Sequence, residues 1–270
     1  MEAQISDLTP LIRRAIRRYF RPGVATRRDL WSVVTALQGA EAYVFGGLVG
    51  DLLSAGPSAI PRDVDIVVSG LDVGEIEERL SNLRESLTFG KVRQNRFGGI
   101  NAVVGRWRVD IWPVQHSWAF RVGLVEGGTV AELPRTTFLN VEAIAVEVSP
   151  ERAARIFDGG FSAAWTTKCL DINLEENPDP LRSALRALFS AAKYRFALSS
   201  RLADYVLTQA AHLPPDKLEA IERRHFGQRR FGGETLARWI ASIEVQRQNT
   251  PDIPVHLPLD RSEQLQIPLG

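Results

Sequence analysis

Asp63 and Asp65 stand two residues apart in the stretch Pro61-Arg62-Asp63-Val64-Asp65-Ile66-Val67-Val68-Ser69, whose apolar β-branched run predicts a strand. Alternate residues of a strand share a face, so the two carboxylates converge. Like charges held that close raise each other's pKa unless a cation sits between them. Mg2+ is the most economical such cation. Upstream, Ala42-Tyr43-Val44-Phe45 runs into Gly46-Gly47, and Leu48-Val49-Gly50-Asp51-Leu52-Leu53 follows as a helix start. A diglycine turn opening a helix suits the phosphates that such a metal would carry. Read alone, this stretch says phosphate and metal. The aspartates by themselves also fit a solvent-exposed strand end or turn caps.

Further along the chain, Gly99 to Val104 and Arg106 to Trp112 flank Gly105 as a hairpin would. In the second of these runs Trp107, Val109 and Ile111 alternate with Arg106, Arg108 and Asp110. Asp110 therefore lies on the face opposite the apolar residues. It becomes a third carboxylate if its strand passes beside Asp63 and Asp65, and is otherwise part of an ordinary exposed face. Asp51 fits helix capping or a supporting role as well as direct catalysis.

The remaining pattern predicts the frame. Residues 8–20 and 28–39 read as amphipathic helices separated by Pro22-Gly23, and Val73 to Arg84 as another helix. Residues 138–148 are strand-like, and Asp158-Gly159-Gly160 is a turn. From Pro180 the pattern is continuous helix, running through Leu181, Leu185, Leu188, Phe189, Ala192 and Phe196. The tail from Thr250, with Pro251, Pro254, Pro258 and Pro268, reads as an extended arm. The shift from mixed elements to helices predicts an α+β chain with these segments: an N-terminal helical extension (1–40), a strand-and-helix domain (41–150), a connection (151–178), a helical domain (179–249) and the tail (250–270).

Composition is that of an ordinary soluble globular chain: 270 residues, 44% hydrophobic, 24% charged, with 33 basic against 32 acidic residues. Net charge therefore says nothing about a nucleic-acid partner. Locally, residues 11–28 carry Arg13, Arg14, Arg17, Arg18, Arg21, Arg27 and Arg28 and no acid, which fits a phosphate-backbone contact or a solvated helix face. Cys169 is the single cysteine, so disulfides and thiolate zinc sites within the chain are excluded. No membrane span or signal peptide is read, and a cytoplasmic protein is the default. The four histidines, His116, His212, His225 and His256, form no metal-ligand spacing and read as surface or loop residues. Glu219 to Arg224 reads as a solvated helix face, and no P-loop, nucleophile elbow or dinucleotide fingerprint is present.

With these residues assembled, the chain resembles the head and neck of class II CCA-adding enzymes and bacterial poly(A) polymerases, within the pol β nucleotidyltransferase superfamily. Their signature Gly-Gly-x-Val-Arg-Asp stands here as Gly46-Gly47-Leu48-Val49-Gly50-Asp51, and their Asp-x-Asp as Asp63-Val64-Asp65. Their Arg-Arg-Asp segment is matched loosely by Pro134-Arg135-Thr136-Thr137-Phe138-Leu139-Asn140. Their neck motif Glu-Asp-x-x-Arg is matched by Pro178-Asp179-Pro180-Leu181-Arg182, with Leu185-Arg186-Ala187 continuing the helix. The resemblance spans roughly 42–200.

The resemblance implies a pol β-type head, a small mixed sheet with helices, followed by an all-helical neck. It implies transfer of NMP from CTP or ATP to an acceptor hydroxyl, with RNA, and a tRNA 3′ end in particular, as favoured acceptor. Two Mg2+ ions would act with Asp63, Asp65 and Asp110. Gly46, Gly47, Asp51, Arg135 and Asn140 would contact the nucleotide, and Asp179 with Arg182 would read the base. Asp179 and Arg182 fit equally an N-cap before Pro180 and a surface arginine. Gly50, Thr136 and Pro178 depart from the family residues. They keep open NMP transfer to a protein or small molecule, or a weakened nucleotide- or RNA-binding module.

Overall fold

The computed structural model describes residues 7–21, 28–83, 92–95, 98–148 and 154–260. The Pro22-Gly23 break, Arg27, Arg84 and Pro268 lie outside them. Two units emerge: the first runs to Thr137 and resumes over Val141–Ser162, and the second takes Phe138–Asn140 and the chain from Ala163.

The first unit opens with α1 (Thr9–Tyr19) and α2 (Arg28–Ala36), each burying one apolar stripe: Ile12, Ile16 and Tyr19 from α1, and Leu30, Val33 and Val34 from α2. Then come β1 (Glu41–Phe45), α3 (Gly47–Ala55), β2 (Val64–Ser69) and α4 (Val73–Ser81). Asp72 and Glu75 cap α4 reciprocally. The unit continues with β3 (Arg93–Gln94), β4 (Ile100–Val104), β5 (Trp107–Pro113) and the short α5 (Trp118–Arg121), and ends with β6 (Ile144–Glu147) and β7 (Ile156–Asp158).

These strands form one mixed sheet in the order β3-β4-β5-β2-β1-β6-β7, in which β2 and β5 are parallel and the other neighbours antiparallel. The β4–β5 hairpin turns at Gly105, whose φ of 58° is the left-handed value a two-residue turn needs. The strand expected over 138–148 forms only from Ile144. A 3-10 turn over Asn140–Glu142 precedes it, and Leu139 pairs instead with Ile172.

The sheet is covered unequally. Val64, Ile66, Val68, Val109 and Ile111 are essentially inaccessible on one face. The other face carries a core of Tyr43, Val67, Val114, Val130, Leu133 and Ala145, flanked by Phe45, Trp112, Phe120 and Phe157. Beyond this second core, the same face carries the carboxylates described below.

The second unit begins within α6 (Phe161–Thr167), at Ala163, and continues with β8 (Cys169–Leu170), α7 (Pro180–Tyr194), β9 (Ala197–Leu198), α8 (Ser200–Ala210), α9 (Pro215–Phe226) and α10 (Gly233–Asn249). The helix through Phe196 stops at Tyr194, because Arg195 turns left-handed (φ 56°) and sends Ala197 and Leu198 into a two-stranded parallel pair with β8. Over its described part the tail is tied down. Val255 exchanges two backbone hydrogen bonds of 2.8 Å with Leu198, and Gln246 grips His256 by both ends of its amide.

The run Glu219 to Arg224 is only partly a solvated face. Glu222 is fully buried, and its carboxylate accepts backbone N–H bonds from Arg230, Phe231 and Gly232 at 2.9–3.0 Å. A buried charge needs such compensation, and the loop before α10 is ordered around it.

Candidate active site

Parallel pairing puts Asp65 of β2 opposite Asp110 of β5, and Val67 opposite Trp112. Register partners point to the same face, and Asp63, two residues before Asp65, shares it. All three carboxylates thus stand on one face at one end of adjacent strands, each partly exposed. β1 runs antiparallel to β2, with Val44 opposite Ile66. One further step sets Phe45 level with Asp65, so the chain enters Gly46-Gly47 at the end of the sheet where the aspartates stand.

Gly46 has φ 71° and ψ −128°, a conformation closed to residues with a side chain, and it precedes the first turn of α3. Its N–H is held by Ile144 at 3.1 Å. Gly47 differs: a Cβ there would meet nothing within 4 Å. Neighbouring side chains and backbone do not require glycine at 47, and the space above it is open to an approaching group.

Two residues outside the sequence motifs complete the carboxylate cluster. Arg62 donates through Nε to Oδ2 of Asp63 as a half-exposed ion pair. The Asn101 side-chain amide donates to Oδ1 of Asp110. Asn101 was findable, since a hairpin turning at Gly105-Arg106 sets 101 opposite 110. Burial pushes the Asp110 carboxyl above the ordinary carboxylate range; the Asn101 hydrogen bond pulls it down and the charge of Asp63 pushes it up, while Arg108 and Arg62 pull it down.

Among the described residues no three acidic, imidazole or thiol groups already close into a ligand cage. Arg62 and Asn101 hold one oxygen each of the two outer carboxylates. The donor set is nonetheless that of a hard cation: oxygen only, with the half-buried Asp110 carboxyl pushed up first by burial and further by the charge of Asp63. The residues fit Mg2+ once Arg62 gives way.

The other expected site residues are spread. Asp51 is buried within α3. Arg135 lies in a 3-10 turn over Leu133–Thr136, exposed and paired with Glu132 at 2.7 Å. Asn140 belongs to the second unit, where its side-chain oxygen accepts from the Asp171 N–H at 3.0 Å and its amide donates to the Cys169 carbonyl at 3.3 Å. Both ends of the Asn140 amide are thus fastened to the segment after α6.

Asp179 caps α7, accepting the Arg182 N–H at 3.1 Å, with Pro180 at the first helical position. Its other oxygen faces His225 Nε2 at 3.3 Å. His225 is thus no loose surface residue; its side chain is 19% exposed. Asn177 braces the same turn, accepting from the Asp179 N–H at 3.2 Å and the Ser183 hydroxyl at 2.9 Å. No sequence signal linked 179 to 225, because they meet only through the packing of α7 on α9.

No family model matches the sequence, and no curated protein matches it. Solved structures do match the fold. The Thermotoga maritima CCA-adding enzyme complexed with tRNA superposes with a TM-score of 0.59 at 19% identity, covering 88% of this chain and 55% of that one. A CCA-adding enzyme with CTP gives 0.59 at 18% identity, covering 93% and 56%. A tRNA nucleotidyltransferase with a primer tRNA and an incoming ATP analog gives 0.54 at 21%, covering 80% and 59%. The chain thus shares the fold of these proteins and spans between 55% and 59% of their length.

Proposed function

We propose that the protein is a metal-dependent nucleotidyltransferase that moves NMP from CTP or ATP onto a hydroxyl of RNA, a tRNA 3′ end being the favoured acceptor. The observation that carries this reading is the register of Asp65 with Asp110, with Asp63 on the same face beside the Gly46-Gly47 helix start. That arrangement, on a fold otherwise seen in proteins solved with CTP, ATP and tRNA, supports nucleotide chemistry at this end of the sheet.

In the reaction, an acceptor hydroxyl gives its proton to solvent as its oxygen attacks the α-phosphate, the bond from the α-phosphorus to the bridging oxygen breaks, and pyrophosphate leaves with that oxygen. Asp63, Asp65 and Asp110 would hold Mg2+, which when bound lowers the acceptor hydroxyl's pKa and neutralises phosphate charge. Arg62 balances Asp63 and releases it to a stronger cation. The N–H groups following Gly46 offer donors to the triphosphate, and the missing side chain at Gly47 lets phosphate oxygens come close. Asn101 fixes the rotamer of Asp110. In the second unit, Asp179 and Arg182 are the proposed base-reading pair, with His225 and the Arg182 N–H orienting the Asp179 carboxylate.

The test is incubation with each α-labelled NTP, Mg2+ and total RNA, alongside the Asp63→Ala, Asp65→Ala double variant. Label on RNA that is lost in the variant supports the proposal. Label on protein or on a small molecule instead would replace the acceptor, and label nowhere would defeat the enzymatic reading.

A further inference from the structure

α1 carries more arginine than its packing uses. Its apolar stripe, Ile12, Ile16 and Tyr19, is at most 2% exposed, and the helix packs on α3 and on the 3-10 turn Gly56–Ser58. Arg13, Arg14, Arg17, Arg18 and Arg21 are all exposed. At 100° per residue the four helical arginines sweep an arc of roughly 140° on the side away from the buried stripe.

Arg13 is anchored through Nε to the Ala154 carbonyl at 3.1 Å. Arg14, Arg17 and Arg21 make no ion pair among the described residues. Arg17 and Arg18, in the last turn, complement the helix dipole. Arg14 sits mid-helix with Arg17 and Arg18 three and four residues on, spacings at which like charges cost the helix a few tenths of a kcal/mol each. The chain as a whole has a formal net charge of +1, yet residues 8–28 hold seven arginines and no acid. The positive charge is therefore concentrated here and not a general property of the surface.

We propose that this face of α1 is a docking surface for the phosphodiester backbone of RNA, engaged through Arg14, Arg17 and Arg21. The inference rests on the proposed function for its choice of RNA. Charge selects a polyanion, and the geometry argues against a lipid surface: an interfacial helix must offer its apolar stripe to the bilayer, and that stripe is already spent on α3. Arg14 and Arg17 lie about 4.5 Å apart along the axis, and Arg21 follows just past the Phe20 C-cap, so the three can meet successive phosphates with bidentate guanidinium contacts. Such contacts position a nucleic acid without reading its sequence.

The experiment compares the wild-type protein with the Arg14→Gln, Arg17→Gln, Arg21→Gln triple variant, by fluorescence anisotropy of a labelled RNA hairpin across a KCl series, without NTP or Mg2+. All three positions are exposed, so an unchanged melting temperature verifies the fold of the variant. The expected result is an affinity loss of about tenfold or more and a salt slope smaller by about 3, roughly one per lost phosphate contact. Equal affinity and slope for the two proteins would overturn the proposal. So would tighter wild-type binding to anionic phosphatidylserine vesicles than to RNA at equal salt, lost in the variant. Because binding is read without catalysis, failure of nucleotidyl transfer with intact salt-dependent RNA binding strikes the activity alone. Intact transfer with an unchanged slope strikes this surface alone.

Discussion

Asp65 and Asp110 are register partners across the parallel β2–β5 pair. Because the strands run the same way, the residues that follow are paired as well, Val67 with Trp112. Two carboxylates thus stand at one level with an apolar floor beyond them, where Phe45 and Trp112 meet edge to face at 6.3 Å. Like charges held over an apolar floor repel and raise each other's pKa, and a cation between them relieves that repulsion.

The raised Asp110 carboxyl has a consequence for stability. Between the ordinary value of 3.8 and its raised native value, the folded protein binds more protons than the unfolded chain, so this group's contribution to stability falls as pH rises through that window. Above the window its penalty is fully present. In EDTA at pH 7, Asp110→Asn should therefore melt at a higher temperature than wild type, with the gap closing as pH falls towards 3.8. Thermal melts at several pH values check this, and a variant that melts lower at neutral pH contradicts it.

The two glycines should separate fold from ligand. Gly46→Ala forces a side chain into φ 71° and should cost about 1–3 kcal/mol of stability. Gly47→Ala meets open space, so its melting temperature should hold while its KM for NTP rises. Circular dichroism melts beside steady-state kinetics distinguish the two; a Gly47→Ala variant with wild-type KM would remove phosphate approach at this turn.

Asp179 has a structural duty that can be tested apart from base reading. Asp179→Ser keeps a capping oxygen for the Arg182 N–H, whereas Asp179→Ala loses the cap at a cost of about 1 kcal/mol. If the carboxylate reads the base, both variants should lose discrimination among NTPs equally, though only the alanine variant melts lower. Discrimination retained in Asp179→Ser would reduce the residue to a cap.

Glu222 should prove the most sensitive acid of the second unit. Its replacement by alanine strands one buried and two half-buried backbone N–H groups and should cost about 2–4 kcal/mol, read as a lower urea midpoint. An unchanged midpoint would mean that the loop before α10 finds other partners.

What the sequence made legible was local. The strand-turn-helix around Gly46, the hairpin at Gly105 and the capped start at Asp179-Pro180 are written in adjacent residues, because turn chemistry and strand alternation act over a few positions. The mixed α+β class followed from them. The Asp65–Asp110 pairing needed to know that β5 lies beside β2, which no local pattern states. Glu222 looked solvated because helical spacing cannot announce a loop that folds back onto it. His225 meets Asp179 by tertiary packing alone, and the strand expected from 138 began at 144 because Asn140 is drawn into bonds with Cys169 and Asp171.

The most direct test of the carboxylate cluster is the single-turnover rate of NMP incorporation from α-labelled CTP and ATP in Mg2+, for wild type, Asp65→Asn, Asp110→Asn and the double variant. If the two aspartates hold one metal, each single change should slow transfer by about 10³-fold, several kcal/mol of lost charge stabilisation. The double variant should be hardly slower than either, since groups acting as a unit are not additive. Transfer that persists at the wild-type rate in the double variant would contradict the account.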